Sequence, residues 1–242
     1  MRSCNGVAYW IDPVSIFGLK LLTDGSYEPA LTKAFQVLLR KGDTFIDIGG
    51  NEGYFSLLAA NKVKDGLVFC IEPQQRLLPI IEQNIKLNSV NSVSVHNLAF
   101  SDKKGLTELF LRPSTNTGAS SFFRHWKLGG KTQKVKTITL DEFIMEKSLK
   151  KIRLIKIDCE GAEGLVIKGA ERCLRSQVSD FLVVDYHSTI IGMEACDNIH
   201  GQIQNAGYQL AKFGGVNIYY HSQAEHDLAS LEGLRKVQSW KE

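Results

Sequence analysis

The sequence predicts a doubly wound α/β fold whose sheet is mostly parallel and ends in an antiparallel hairpin. Three observations predict it. Apolar, β-rich runs alternate with helix-period segments from residue 43 to about residue 222. The first run, Thr44-Phe45-Ile46, leads into the glycine turn Asp47-Ile-Gly-Gly-Asn-Glu-Gly53 and then a helix-like segment. The last two runs are separated only by Gly214-Gly215, which reads as a hairpin.

In order, residues 1–40 form a helical or irregular approach, with Ser26-Tyr27-Glu28-Pro29 just before an amphipathic helix at 30–39. Strands are expected at 44–48, 67–71, 93–98, 106–111, 152–157, 181–186, 208–213 and 216–220. Helices are expected at 54–63, 76–87, 162–175 and 190–206. The stretch 112–136 is poor in apolar residues and long for a connection, as functional or disordered loops are. A tail, 223–242, has helical spacing over 223–240 and packs as a C-terminal helix on the single domain at 41–222.

The chain has 242 residues, with 29 Lys+Arg against 26 Asp+Glu. That near balance lacks the excess of a protein gripping duplex DNA through many phosphates. Five scattered cysteines, with no C-x-x-C pair, signal neither a disulfide framework nor a zinc ribbon. A reducing, cytoplasmic setting is the simplest reading. No apolar stretch has the length of a membrane span, and the start lacks the apolar run of a secretory signal.

The chemistry clusters at strand ends. Asp47 closes the first strand, where the glycines and the following helix N-terminus admit a ligand closely. Glu72, in Cys70-Ile-Glu-Pro73, closes the second, the place where an acidic residue bonds ribose hydroxyls in dinucleotide folds. The glycines fall as Gly49-Gly50-x-x-Gly53, so the G-x-G-x-x-G fingerprint of a nicotinamide enzyme fails. A carboxylate before the turn and Asn51 within it suit a cationic amino acid end and disfavour a pyrophosphate. Ala99-Phe100-Ser101-Asp102 borders the same crevice. Phe100 offers an apolar face, and Ser101 or Asp102 can bond an amino group on a purine, although a plain polar turn explains them equally.

Lys156 and Asp158 lie on one face of an otherwise apolar strand, where unpaired charge is costly. Glu160 and Glu163 follow at the next helix start, where negative charge is ordinarily favourable. No metal-ligand set of convincing spacing is visible. His187 emerges at the rim after Val184-Asp185-Tyr186 and is a candidate proton acceptor.

These stations together resemble the FkbM-type family of S-adenosylmethionine-dependent methyltransferases. The resemblance runs from about Gly25 to His187. It rests on Tyr27-Glu28-Pro29, Asp47-Ile-Gly-Gly-Asn-Glu-Gly53, Glu72-Pro73, Asn84 with Asn88, Ala99 with Ser101-Asp102, Thr139-Leu-Asp141 and Lys156-Ile-Asp-Cys-Glu-Gly-Ala-Glu163. One departure is Gly50, where the family more often has alanine. The resemblance implies a Rossmann-like class I methyltransferase sheet of seven strands ordered 3-2-1-4-5-7-6. It implies that Asp47, Gly49, Asn51 and Gly53 contact the amino acid end of S-adenosylmethionine, that Glu72 takes the ribose hydroxyls, and that Ser101-Asp102 lies by the adenine. Glu28, Gly50 and Phe100 complete the expected cofactor set.

The expected activity is O-methylation of a hydroxyl on a sugar or secondary metabolite. His187 is the first candidate base and Asp158 the second, with Glu160 and Lys156 orienting substrate or stabilising charge. The chain contains neither a Pro-Pro nor a Pro-Cys pair, which disfavours base methylation on nucleic acid. Between Glu108 and Asp141 the charged residues are all basic: Arg112, Arg124, Lys127, Lys131, Lys134 and Lys136, with His125-Trp126 among them. Such a segment is either a solvated loop or a lid drawing in an acidic acceptor, such as a nucleotide-linked sugar or a carrier-bound metabolite. The alternatives are a nicotinamide-dependent oxidoreductase and a methyltransferase-like binding module.

Overall fold

In the computed structural model, β1 (Arg2–Cys4) and β2 (Val7–Tyr9) form a hairpin ahead of α1 (Ile16–Thr23) and α2 (Pro29–Leu38). The structure describes residues 1–113, 115, 116, 120–122 and 131–242. Then β3 (Thr44–Ile48), α3 (Tyr54–Val63), β4 (Leu67–Ile71), α4 (Leu78–Leu87) and β5 (Val93–His96) alternate. A side sheet follows, made of β6 (Ala99–Phe100), β7 (Gly105–Phe110) and β8 (Thr132–Ile138). After α5 (Leu140–Glu146) come β9 (Ile152–Ile157), α6 (Glu163–Lys168), α7 (Glu171–Arg175), β10 (Ser179–Val184), α8 (Ser188–Ile191) and α9 (Met193–Asn205). The hairpin β11 (Gln209–Phe213) and β12 (Val216–Tyr220), a 3₁₀ helix (Ser222–Ser230) and β13 (Arg235–Val237) complete the chain.

The main sheet runs β13-β11-β12-β10-β9-β3-β4-β5. Strands β10, β9, β3, β4 and β5 are parallel, and β12 is antiparallel to β10. From β5 to β11 this is the expected order 3-2-1-4-5-7-6. The chain winds outward from β3 through β4 and β5, then returns to β9 on the other side. A crevice therefore opens at the carboxyl ends of β3 and β9, the switch point where α/β sheets take ligands.

The sheet has eight strands rather than seven. Only Ser222–Ser230 of the tail is helical, and Arg235–Val237 instead pairs antiparallel with Leu210, Ala211 and Lys212. The open edge of β11 offers unpaired backbone groups, and that pairing satisfies them. The helix expected at 162–175 is split near Gly169, where an added Cβ would overlap the Ser101 carbonyl oxygen. The strand expected at 106–111 stays out of the main sheet and pairs with β8.

Alternation along each strand feeds two cores. Phe45 packs with Phe35, Leu57 and Leu58 on one face of the sheet, while Ile46 packs with Ile155, Val166 and Phe143 on the other. The N-terminal hairpin is part of the first core: Tyr9 stacks on Tyr54 with ring centroids 5.2 Å apart. It is clasped from α4 by two side-chain amides. Asn88 accepts from Ala8 N at 2.8 Å and donates to Ala8 O at 2.7 Å, and Asn84 Oδ1 accepts from Trp10 N at 2.6 Å. These asparagines imitate a strand partner. Among the described residues, no helix is long and apolar enough to cross a membrane.

Candidate active site

The deepest station is Asp47, whose side chain is sealed under the crevice. Ser56 Oγ donates to Oδ2 at 2.7 Å, and Lys156 Nζ lies 3.4 Å from Oδ1. Asp47 and Lys156 are register partners on β3 and β9, so the pairing follows directly from the parallel register. Lys156 also approaches Asp158 Oδ2 at 3.0 Å and donates to Gly49 O at 3.3 Å. Burial works against the ammonium's charge, but Asp158, Asp47 and Glu28 outweigh it and hold Lys156 charged well above its ordinary range.

Above this pair lies a cleft of about 150 Å³. Its walls include Glu28, Gly49, Asn51, Glu72, Phe100, Asp158, Glu160, Asp185 and His187. Glu72 is 2 % exposed. It accepts from Asn51 N and Gln74 N, each at 2.8 Å. Burial nevertheless pushes its carboxyl up to about 7. Glu28 is the N-cap of α2 in a left-handed conformation (φ 43°), and burial raises its carboxyl while Lys156 pulls it back.

The glycines have separate reasons. A Cβ on Gly49 would overlap the Asp158 carbonyl oxygen, so Gly49 lets β9 approach β3. A Cβ on Gly50 would overlap Cys70 Sγ, which fills the space an alanine methyl would need. Gly53 caps α3 at φ 87°.

Four carboxylates surround His187. Glu163, fully buried at the start of α6, accepts from its Nδ1 at 2.8 Å. The same oxygen of Glu163 accepts from Cys159 N and Gly161 N. His187 Nε2 lies 3.5 Å from Glu160 Oε2, 3.8 Å from Asp158 Oδ1 and 3.9 Å from Asp185 Oδ2. Burial draws the imidazole down, but Glu163, Glu160 and Asp158 together outweigh it and hold it up to about 9. Burial and the neighbouring acids push Glu160 up to about 7.

The fold gathers Glu28, Gly49, Asn51, Glu72, Phe100, Asp158, Glu160 and His187 on one cleft. It does not bring Ser101 and Asp102 there. The chain turns after β6, Ser101 donates to Asp102, and Asp102 meets Lys168 at 3.2 Å outside the cleft. Asp47 and Lys156 lie beneath the cleft wall, and Gly50 and Lys156 line a smaller adjoining recess. Gly53 lines neither. Arg124, His125, Trp126 and Lys127 lie outside the described residues, and Arg112, Lys131, Lys134 and Lys136 do not line the cleft.

Two residues had readable signals that spacing alone left unassigned. Asp185 stands two positions before His187 at a strand end, so both reach one rim. Glu163 read as ordinary helix-start acidity, yet it is the group that orients the histidine. Asp158, Asp185 and His187 also offer three potential metal ligands within 4.8 Å of one another, a set that only the fold assembles.

S-adenosylmethionine fits this cleft. Five carboxylates line it, and no Lys or Arg does so among the described residues. Such a wall favours an ammonium and a sulfonium and opposes a pyrophosphate. Glu72 presents a buried carboxylate, and Phe100 presents an apolar face.

Comparisons with known proteins agree with the geometry. Methyltransferase 1 of Beauveria bassiana is 28% identical over 159 residues, covering 58% of this chain and 64% of that protein. The 2-O-methyltransferase NoeI of Sinorhizobium fredii is 27% identical over 168 residues, covering 62% and 65%. The matched stretch thus spans just under two thirds of each relative. A crystal structure described as a putative rRNA methylase from Clostridium thermocellum superposes with a TM-score of 0.51 at 11% identity, covering 81% of this chain and 98% of that one. That likeness concerns the fold alone. Residues 47–210 match the methyltransferase FkbM domain, and the chain belongs to that family.

Proposed function

We propose that this protein is an S-adenosylmethionine-dependent O-methyltransferase acting on a hydroxyl of a small acceptor, such as a sugar or secondary metabolite. The observation that carries the reading is a strand-end cleft with a buried carboxylate, Glu72, just after β4 and acidic walls elsewhere. The relative named a 2-O-methyltransferase supports oxygen as the acceptor atom.

The cofactor, when bound, supplies a methyl group activated by a sulfonium. Glu72 would hold the ribose hydroxyls, and Phe100 would cover an apolar face of the purine. Gly49 and Asn51 would border the amino acid end, with Glu28 countering its ammonium. Asp47 acts through Lys156, which fixes Asp158 at the mouth. The acceptor proton passes to the Glu160 carboxylate, and Glu163 sets the orientation of the neighbouring His187 imidazole. Alignment of the reactants lowers the barrier by roughly 7–11 kcal/mol, and proton removal contributes about 10²–10⁴-fold.

A nicotinamide cofactor is not favoured, because its pyrophosphate would face carboxylates. The acidic walls likewise favour a neutral or cationic acceptor over a nucleic acid backbone. The test is transfer of labelled methyl from S-adenosylmethionine to a panel of sugars and hydroxylated metabolites. Transfer to hydroxyls that is lost in Glu160→Gln supports the reading. Labelling of amines or bases alone would contradict it.

A further inference from the structure

We propose that Asp158, Asp185 and His187 form a divalent cation site at the carboxyl ends of β9 and β10, and that the cation binds the acceptor hydroxyl. The proposal deepens the methyltransferase reading and rests on it for the identity of the acceptor.

The first observation is the ligand set. One atom from each of the three side chains falls within 4.8 Å of the others. His187 Nε2 stands 3.8 Å from Asp158 Oδ1 and 3.9 Å from Asp185 Oδ2. Ligands about 2.1 Å from one ion lie roughly 3.0 Å apart when adjacent and about 4.2 Å apart when opposite. Both separations from the imidazole fall between those limits, so the set closes on an ion with small side-chain shifts.

The second observation concerns the imidazole. His187 Nδ1 is taken by Glu163, a fully buried residue. That contact directs Nε2 into the cluster. Nε2 makes no hydrogen bond among the described residues, although three carboxylates lie within 3.9 Å of it. A buried carboxylate behind a histidine whose far nitrogen faces a gap between oxygens is how proteins orient a metal-binding imidazole. Glu163 Oε2 is itself buried without a hydrogen-bond partner among the described residues.

Asp158 can serve two partners. Its Oδ2 belongs to Lys156 and its Oδ1 faces His187, so the lysine that fixes it does not occupy the ligand atom. Two carboxylate oxygens with one imidazole nitrogen suit Mn²⁺ or Mg²⁺ and leave positions open for the acceptor. A hydroxyl bound there becomes more acidic. Its O–H bond breaks, the proton goes to the Glu160 carboxylate, and the electron pair stays on the oxygen that receives the methyl group.

The test uses the whole chain, stripped with chelator and titrated with Mn²⁺ while free Mn²⁺ is followed by electron paramagnetic resonance. S-adenosylhomocysteine binding is measured calorimetrically on the same preparation. The expected result is saturation near one ion per chain. Asp185→Asn should weaken it at least ten-fold with an unchanged melting curve, since that side chain is 67% exposed. Asp158→Asn is the second variant. Saturable Mn²⁺ binding unaffected by both variants would overturn the proposal. So would no saturable binding in a protein that binds S-adenosylhomocysteine, which would leave the methyltransferase reading standing. Absence of both ligands would end both.

Discussion

Asp47 and Lys156 face each other across adjacent parallel strands, 3.4 Å apart and cut off from solvent beneath the cleft. The acid that closes the first strand therefore holds a lysine. The lysine in turn holds Asp158, whose carboxylate reaches the cleft. Breaking one partner of a buried pair leaves an uncompensated charge and costs about 3–5 kcal/mol. Lys156→Met is expected to lose that much in denaturant unfolding, and Asp47→Asn in the same chain should restore part of it. Additive losses in the double variant would show that the two residues are not coupled.

Gly50 and Cys70 share one space. Gly50→Ala drives a methyl into Cys70 Sγ and should cost about 1–3 kcal/mol, the usual range for overpacking. Cys70→Ala removes the sulfur and vacates the volume. The double variant should be more stable than the sum of the two losses, read from thermal or urea unfolding. This pairing accounts for glycine at position 50.

Glu72 should make cofactor binding depend on pH. Its carboxyl is raised from the ordinary 4.5 to about 7 by burial. Between those values it is protonated in the fold and ionised in the unfolded chain, so it opposes folding increasingly as pH rises and fully above about 7. Ribose hydroxyls need the ionised form as acceptor. S-adenosylhomocysteine affinity should fall as pH drops below 7, and Glu72→Gln should flatten that dependence over pH 5.5–8. An equally steep dependence in the variant would assign it elsewhere.

The asparagine clasp should matter at a distance. Asn88→Ala strips both hydrogen bonds from Ala8, at about 1–3 kcal/mol if those backbone groups stay buried. Hydrogen exchange over residues 1–12 should accelerate, with the main sheet unchanged. Unchanged exchange there would show that the aromatic packing of Tyr9 alone fixes the hairpin.

The central strands were legible because their patterns have one solution. Thr44–Ile48, Leu67–Ile71, Ile152–Ile157 and Val216–Tyr220 fall where the apolar runs place them. Strand β8 was not, because Lys-Thr-Gln-Lys-Val-Lys-Thr-Ile exposes Lys134 and Lys136 and buries Val135, so few apolar residues mark it. Strands β1, β2 and β13 have three residues each, too few for any periodicity. At the site, spacing identified which strand ends carry chemistry. It did not separate residues that face the cleft, such as Glu72 and Glu160, from Asp47, which supports the wall beneath. It also placed Asp102 by a ligand, whereas a turn after β6 gives it to Lys168. Those distinctions depend on side-chain direction and cross-strand register, which one sequence does not display.

Calorimetric titration of S-adenosylhomocysteine into the wild-type chain and Glu72→Ala tests the central claim most directly. Hydrogen bonds to a charged group contribute about 1.5–3 kcal/mol each, so loss of Glu72 should weaken binding by roughly ten-fold or more. The cofactor assignment predicts one-to-one binding to the wild type and that loss in the variant. No binding to the wild type, or equal affinity in both proteins, would contradict it.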